Sequence, residues 1–200
     1  GCSTIMPGSK VVSINPLPTV YALTGGGAYC SGGTGVGIGL AGSESGGDYQ
    51  LYRGTTSVGS AVTGTGSAIS FGSSFTSAGT YTIVATNATT SCVNNMSGSV
   101  IVTINALPAI HSMTGGGSYC AGGSGVSLGL NGSETGINYE LYLGSSVVDA
   151  EAGTGAAIDF GLKTATGTYT VHATNITTGC TRTMSGSKTI GTQPLPTSTY

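Results

Sequence analysis

The chain has 200 residues, only 6% of them charged, with a formal net charge of −2. Five Lys plus Arg make no basic field for a nucleic acid and no polybasic anchor for a membrane surface, and no run of about 18 apolar residues offers a spanning helix in this region. Glycine is abundant, at 37 residues, but it follows no Gly-X-Y period and clusters between apolar stretches, as turns do.

Residues 1–15 repeat at 91–105 and, more loosely, at 179–191, so they read as the terminal strand of a preceding repeat. Pro16-Leu17-Pro18 follows as a stiff joint, recurring as Ala106-Leu107-Pro108 and Pro194-Leu195-Pro196. Proline fixes φ and lacks a ladder donor, which suits a module boundary. The joints delimit a first repeat at 16–105, a second at 106–193, and a linker or the start of a next repeat at 194–200. Within the first repeat, Val20–Leu23 predicts a strand and Gly25–Gly27 a turn. Val36, Ile38 and Leu40 form one apolar face of a second strand after Cys30, with Gly35, Gly37 and Gly39 on the other face, open to close approach. Tyr49–Arg53, Ser57–Val62, Ala68–Phe71, Thr80–Thr86 and Val100–Ile104 complete the set. The second repeat keeps this order at offsets of 90 shrinking to 88, with the slips in loops, where a deletion does not flip a buried face.

No helical period of ten or more residues occurs, and seven short strands with turn signals between them describe a β-sandwich. The expected fold class is all-β: tandem immunoglobulin-like sandwiches of about seven strands each. Gly-Thr-Tyr before the sixth strand makes Tyr81 and Tyr169 candidates for a tyrosine corner, although Ile83 and Val171 stand where an antibody domain has a cysteine. Cys30 and Cys92 are 62 residues apart and Cys120 and Cys180 are 60 apart, one pair per module, which predicts two disulfides stapling one end of each sandwich. Cys2 is left over, its partner expected in a preceding module. This cysteine usage points to an oxidising, extracytoplasmic location.

Little else carries chemistry. Gly37–Gly42 matches a dinucleotide glycine spacing but opens no helix. His111 aligns with Tyr21 and His172 with Val84, so neither belongs to a repeated site, and no Ser, His and acid set or paired carboxylates recur. The chain is therefore expected to be no enzyme and to hold no cofactor. A calcium ion near Glu44 and Asp48, or near Glu134, would need much backbone help, because a turn with one or two carboxylates supplies few of the six to eight oxygens required. Asn87, Asn95, Asn131 and Asn175 open glycosylation sequons. Tyr21, Tyr49, Tyr52, Tyr139 and Tyr142 could stack on sugars, but Tyr49 and Tyr52 must point to opposite faces.

Thr-Gly-Gly-Gly-x-Tyr-Cys, Gly-Ser-Glu-x-Gly-x-x-Tyr-x-Leu-Tyr, Gly-Thr-Tyr-Thr-x-x-Ala-Thr-Asn-x-Thr-Thr-x-Cys and Ile-Asn-x-Leu-Pro together resemble the tandem immunoglobulin-like or PKD-like repeats of giant Bacteroidetes surface and secreted adhesins, over essentially the whole chain. The resemblance implies export by the type IX system and a cell-surface or secreted location. The first expectation is a structural stalk or filament whose partners are neighbouring repeats, or identical chains in a fibre, to which residues 1–15 could donate a strand. Alternatives are a module binding surface glycans or proteins, with Ser57–Val62 and Ser146–Glu151 as the divergent stretches, and non-catalytic accessory repeats of a secreted enzyme.

Overall fold

The computed structural model describes residues 1–5 and 8–196, which divide into two compact units, Gly1–Ile104 and Asn105–Tyr200. The first unit contains β1 (Leu23–Gly25), β2 (Gly27–Cys30), β3 (Val36–Leu40), β4 (Gly47–Arg53), β5 (Thr56–Thr63), β6 (Ile69–Phe75), β7 (Gly79–Asn87), β8 (Val93–Asn95) and β9 (Val100–Asn105). The second contains β10 (Met113–Gly115), β11 (Gly117–Cys120), β12 (Val126–Leu130), β13 (Ile137–Leu143), β14 (Ser146–Ala152), β15 (Ile158–Lys163), β16 (Gly167–Asn175), β17 (Thr181–Thr183) and β18 (Lys188–Gln193). Each unit has a small sheet, β1-β3-β6 or β10-β12-β15, and a large one, β2-β9-β7-β4-β5 or β11-β18-β16-β13-β14, with β8 or β17 also paired to the long strand β7 or β16. The chain is thus all-β, two tandem immunoglobulin-like sandwiches.

Alternation builds the core. In β4 and β7 every second residue is buried: Tyr49 and Leu51, then Tyr81, Ile83 and Ala85. Their register sets Leu51 opposite Ile83 and Tyr49 opposite Ala85. The second unit repeats this with Leu141 opposite Val171 and Tyr139 opposite Ala173. Ile38 and Leu40, or Leu128 and Leu130, close the core from the small sheet. Period-2 burial on one face fixes register, since a one-residue slip would expose the whole set.

Each unit has nine strands where seven were expected among these residues. The additions are β2 and β8, with their counterparts β11 and β17. Gly27-Ala28-Tyr29-Cys30 and Val93-Asn94-Asn95 are too short and too polar to show apolar alternation. The first strand also begins later than Val20, at Leu23, after a single bridge from Ala22 to Ser97. Between β1 and β2 the chain leaves the small sheet for the large one. Gly25, Gly26 and Gly27 all have positive φ (88°, 72° and 115°). A Cβ on Gly25 would overlap the Gly37 carbonyl oxygen, so the triple glycine is a sheet-switching corner rather than a simple turn.

Residues 1–5 and 8–15 form no strand, and Val11, Val12 and Ile14 are almost wholly exposed. Their counterparts Ile101, Val102 and Ile104 lie in β9, with Val102 in the core. Both units already carry their own last strand, β9 or β18, beside β7 or β16. The place beside β7 or β16 is thus filled from within each unit. Residues 194–196 also lie outside any strand, and the rest of the expected linker, 197–200, falls outside the described residues.

Candidate functional site

Tyr81 and Tyr169 are buried, and each hydroxyl donates to the backbone carbonyl four residues upstream, Ser77 at 2.8 Å and Ala165 at 2.7 Å. That is the bond of a tyrosine corner. A second repeated pair, Tyr29 and Tyr119, donates to the carbonyls of Thr76 and Thr164, both at 2.6 Å. These bonds tie the end of β2 or β11 to the point where β7 or β16 begins.

The same placement corrects the predicted staples. Cys120 lies opposite Gln193 in a parallel pair, while Ile190, three residues earlier, lies opposite Gly167 at the start of β16. Cys180 sits at the other end of β16, its carbonyl accepting from the Asn175 amide at 2.9 Å. The two cysteines are separated by roughly eleven strand positions, or about 35 Å, whereas a disulfide needs Cα atoms within about 7 Å. In the first unit Cys30 follows Tyr29 at the Thr76 end, and Cys92 meets Asn87 at the far end of β7. Cys92 and Cys120 accordingly carry free thiols, as does exposed Cys2; Cys30 and Cys180 are disulfide-bonded. Nothing in the spacing of the cysteines shows that the glycine corner sends β2 away from β8, which is why the pattern points to both at one end.

Glu44 and Glu134 grip the joint that enters each module. The Glu44 carboxylate accepts from the Thr19 amide at 3.1 Å and from its hydroxyl, and Glu134 accepts from the Ala109 amide at 2.6 Å. The Thr19 hydroxyl bond, with its amide, holds the Glu44 carboxyl below the usual range. From the other side, the Asn94 amide donates to the Pro18 carbonyl at 2.8 Å and Arg182 donates to that of Pro108 at 3.3 Å. Pro18 and Pro108 are buried. Asp48 lies apart on β4, accepting from Thr63 at 3.0 Å. Among the described residues no group of three His, Cys, Asp or Glu is placed to hold a metal.

Among the described residues, a groove on the small sheet occupies the same position in both units. In the first it is about 690 Å³, lined by Thr24, Gly37, Gly39, Ser70 and Gly72 among others. In the second it is about 330 Å³, lined by Thr114, Ser127, Gly129 and Asp159 among others. Gly39 and Gly129 make its floor: a Cβ on Gly39 would lie 2.9 Å from both the Ile69 carbonyl oxygen and Thr24 Oγ1, and one on Gly129 2.5 Å from the Ile158 carbonyl oxygen. Gly37 and Ser70 are replaced by Ser127 and Asp159, whose side chains bond at 2.6 Å. That hydroxyl and the Gly161 amide lower the Asp159 pKa. The glycine face was visible in the sequence; its pairing with Ser70 and Asp159 across β3–β6 and β12–β15 was not.

Of the tyrosines considered for stacking, Tyr49 and Tyr139 are in the core, each accepting from the Glu44 or Glu134 amide. Tyr52 and Tyr142 face outward, and the Tyr142 ring lies 4.6 Å from His172. Tyr21 and His111 occupy equivalent half-buried positions, each crowding a glycine, Gly42 or Gly132. The divergent stretches Ser57–Val62, read as a strand from the sequence, and Ser146–Glu151 lie within the edge strands β5 and β14. Asn87 and Asn175 cap the turns after β7 and β16, accepting from the amides two and three residues on; Asn95 and Asn131 are exposed.

No family model and no curated protein matches the chain. Solved structures that are similar include the fibronectin(III)-like modules of Clostridium thermocellum CbhA (12% identity, TM-score 0.45, 90% of this chain and 99% of that one). A mouse coronavirus receptor-binding domain complexed with its murine receptor is also similar (12%, 0.44, 84% and 98%). So are three N-terminal domains of the bacteriophage RB49 outer capsid protein Hoc (16%, 0.36, 86% and 59%). These proteins are unrelated to one another, so the likeness does not single out Bacteroidetes adhesins, and at these scores it adds nothing to the fold read from the strands themselves.

Proposed function

We propose that the chain is a stretch of an extracellular array of non-catalytic immunoglobulin-like modules that bind glycans or proteins at a cell surface through the small-sheet groove. The observation that carries this reading is a contrast between scaffold and groove. Corner and turn bonds match from copy to copy, whereas the groove keeps its place and changes its chemistry, from Gly37 and Ser70 to Ser127 and Asp159. A fixed scaffold with a variable face is how binding loops are carried on sandwiches. Hydroxyl groups around a glycine floor suit a neutral, hydroxyl-bearing ligand such as a sugar, whose flat face needs a surface without protruding side chains.

The test is a titration of the full chain with neutral oligosaccharides, followed by amide chemical shifts. Thr24, Gly37 and Ser70 should move in the first module and Thr114, Ser127 and Asp159 in the second, with different preferences. Gly37→Ser with Ser70→Asp should give the first module the preference of the second. Shifts on the outer face of the large sheet, or none, would count against the groove. The second reading, a stalk or filament of a Bacteroidetes-type secreted adhesin, draws on the joint clasp: a joint pinned at Pro18 by Asn94 and at Thr19 by Glu44, or at Pro108 by Arg182 and at Ala109 by Glu134, stiffens the entry to each module.

A further inference from the structure

The chain enters each module and leaves it at opposite poles. The joint lies against Asn94 or Arg182 of the short strands β8 and β17, at the pole of the second cysteine, Cys92 or Cys180. The last strand of the second module ends at Gln193, beside Cys120, at the pole of the first cysteine. The first cysteine thus sits at the pole where the chain leaves a module, and the second at the pole where it enters. Within a module the two are about 35 Å apart and cannot meet.

A second observation shows that both positions form disulfides. Each of the two cysteine positions of the repeat is bonded in one module and free in the other: Cys30 and Cys180 are disulfide-bonded, while Cys92 and Cys120 are thiols. Cys120 is exposed, and the thiol of half-buried Cys92 lies 4.0 Å from the Asn15 carbonyl oxygen. We propose that Cys120 and Cys92 are pole-to-pole cross-linking sites, Cys120 of one copy of the chain bonding to Cys92 of the next. The chemistry is thiol–disulfide exchange with a low-molecular-weight disulfide as oxidant. The Cys120 thiolate attacks that disulfide and expels one small thiolate; the Cys92 thiolate then attacks the mixed disulfide and expels the second. The protein pair loses two electrons and two protons, and the small disulfide leaves as two thiols.

The purified full chain is incubated in a glutathione redox buffer, then resolved by non-reducing electrophoresis and disulfide peptide mapping. A ladder of multimers that collapses on reduction, with a Cys92–Cys120 peptide, is the expected result. Cys2→Ser should leave the ladder intact, and the double variant Cys92→Ser with Cys120→Ser should lose all species above monomer while keeping the wild-type circular dichroism spectrum and thermal midpoint. A monomer with free Cys92 and Cys120, a ladder that depends on Cys2, or peptides joining Cys30 to Cys92 and Cys120 to Cys180 would each overturn the proposal. None of these outcomes depends on the groove binding a ligand.

Discussion

At the scale of single residues, the repeated polar side chains hold the modules together by bonds to backbone groups. Ser43 and Ser133 are buried; each donates to one carbonyl, of Ser67 or Ala156, and accepts from one amide, of Thr65 or Thr154. Replacing Tyr81 or Tyr169 by Phe leaves the Ser77 or Ala165 carbonyl without its donor. Each change should lower stability by about 1 to 2 kcal/mol in chemical denaturation, with an unchanged m value. Glu44→Gln should act locally, because the group is exposed. Hydrogen exchange at the Thr19 amide is expected to quicken roughly fivefold while global stability moves by less than about 1 kcal/mol. The clasp was legible in one respect: Glu44 and Glu134 are the one charged position shared by the two complete repeats. What the sequence lacked was any sign that these carboxylates reach back across 25 residues to the joint.

At the scale of elements, strands with one buried face were readable and strands without one were not. β3, β4, β7 and β9 announce themselves through Ile38 and Leu40, Tyr49 and Leu51, Tyr81 and Ile83, and Val100 and Val102, because alternation reports burial directly. β2 and β8 are held by ladder bonds to neighbours and bury little, so pattern alone could not find them. That omission is also why the cysteines were misplaced, since β2 carries Cys30 to the far pole. The glycines separate in the same way. Gly25→Ala, at a φ of 88° with the Gly37 carbonyl in the way, should destabilise by more than about 2 kcal/mol. Gly37→Ser places its Cβ at 3.5 Å from the Gly72 oxygen, copies the residue found at 127, and should shift stability by less than about 0.5 kcal/mol. Thermal unfolding of the two variants side by side checks both, and equal effects would refute the corner assignment.

For the whole molecule, the two modules should respond differently to acid. In the first, Glu44 is the carboxyl group held low, by the Thr19 hydroxyl and amide. In the second there are two: Asp149, through its 2.5 Å bond to Lys163, and Asp159, through Ser127 and Gly161. A carboxylate whose folded pKa lies below its unfolded value stabilises above the ordinary range and loses that contribution as pH falls through the folded value. Amide spectra of the full chain between neutral pH and about pH 2.5 should therefore show the second module loosening before the first. Earlier loosening of the first module, or none in either, would show that these bonds contribute little.

The parallel pairing of β11 with β18 has a mechanical consequence. Tension applied to the two ends of such a module drags these neighbouring strands in opposite directions along their length. Their hydrogen bonds are then loaded together, in shear, instead of parting one after another as a hairpin does when its ends are pulled. Stretched by its ends, such a module should yield late and as a unit, a response that single-molecule stretching of the full chain checks.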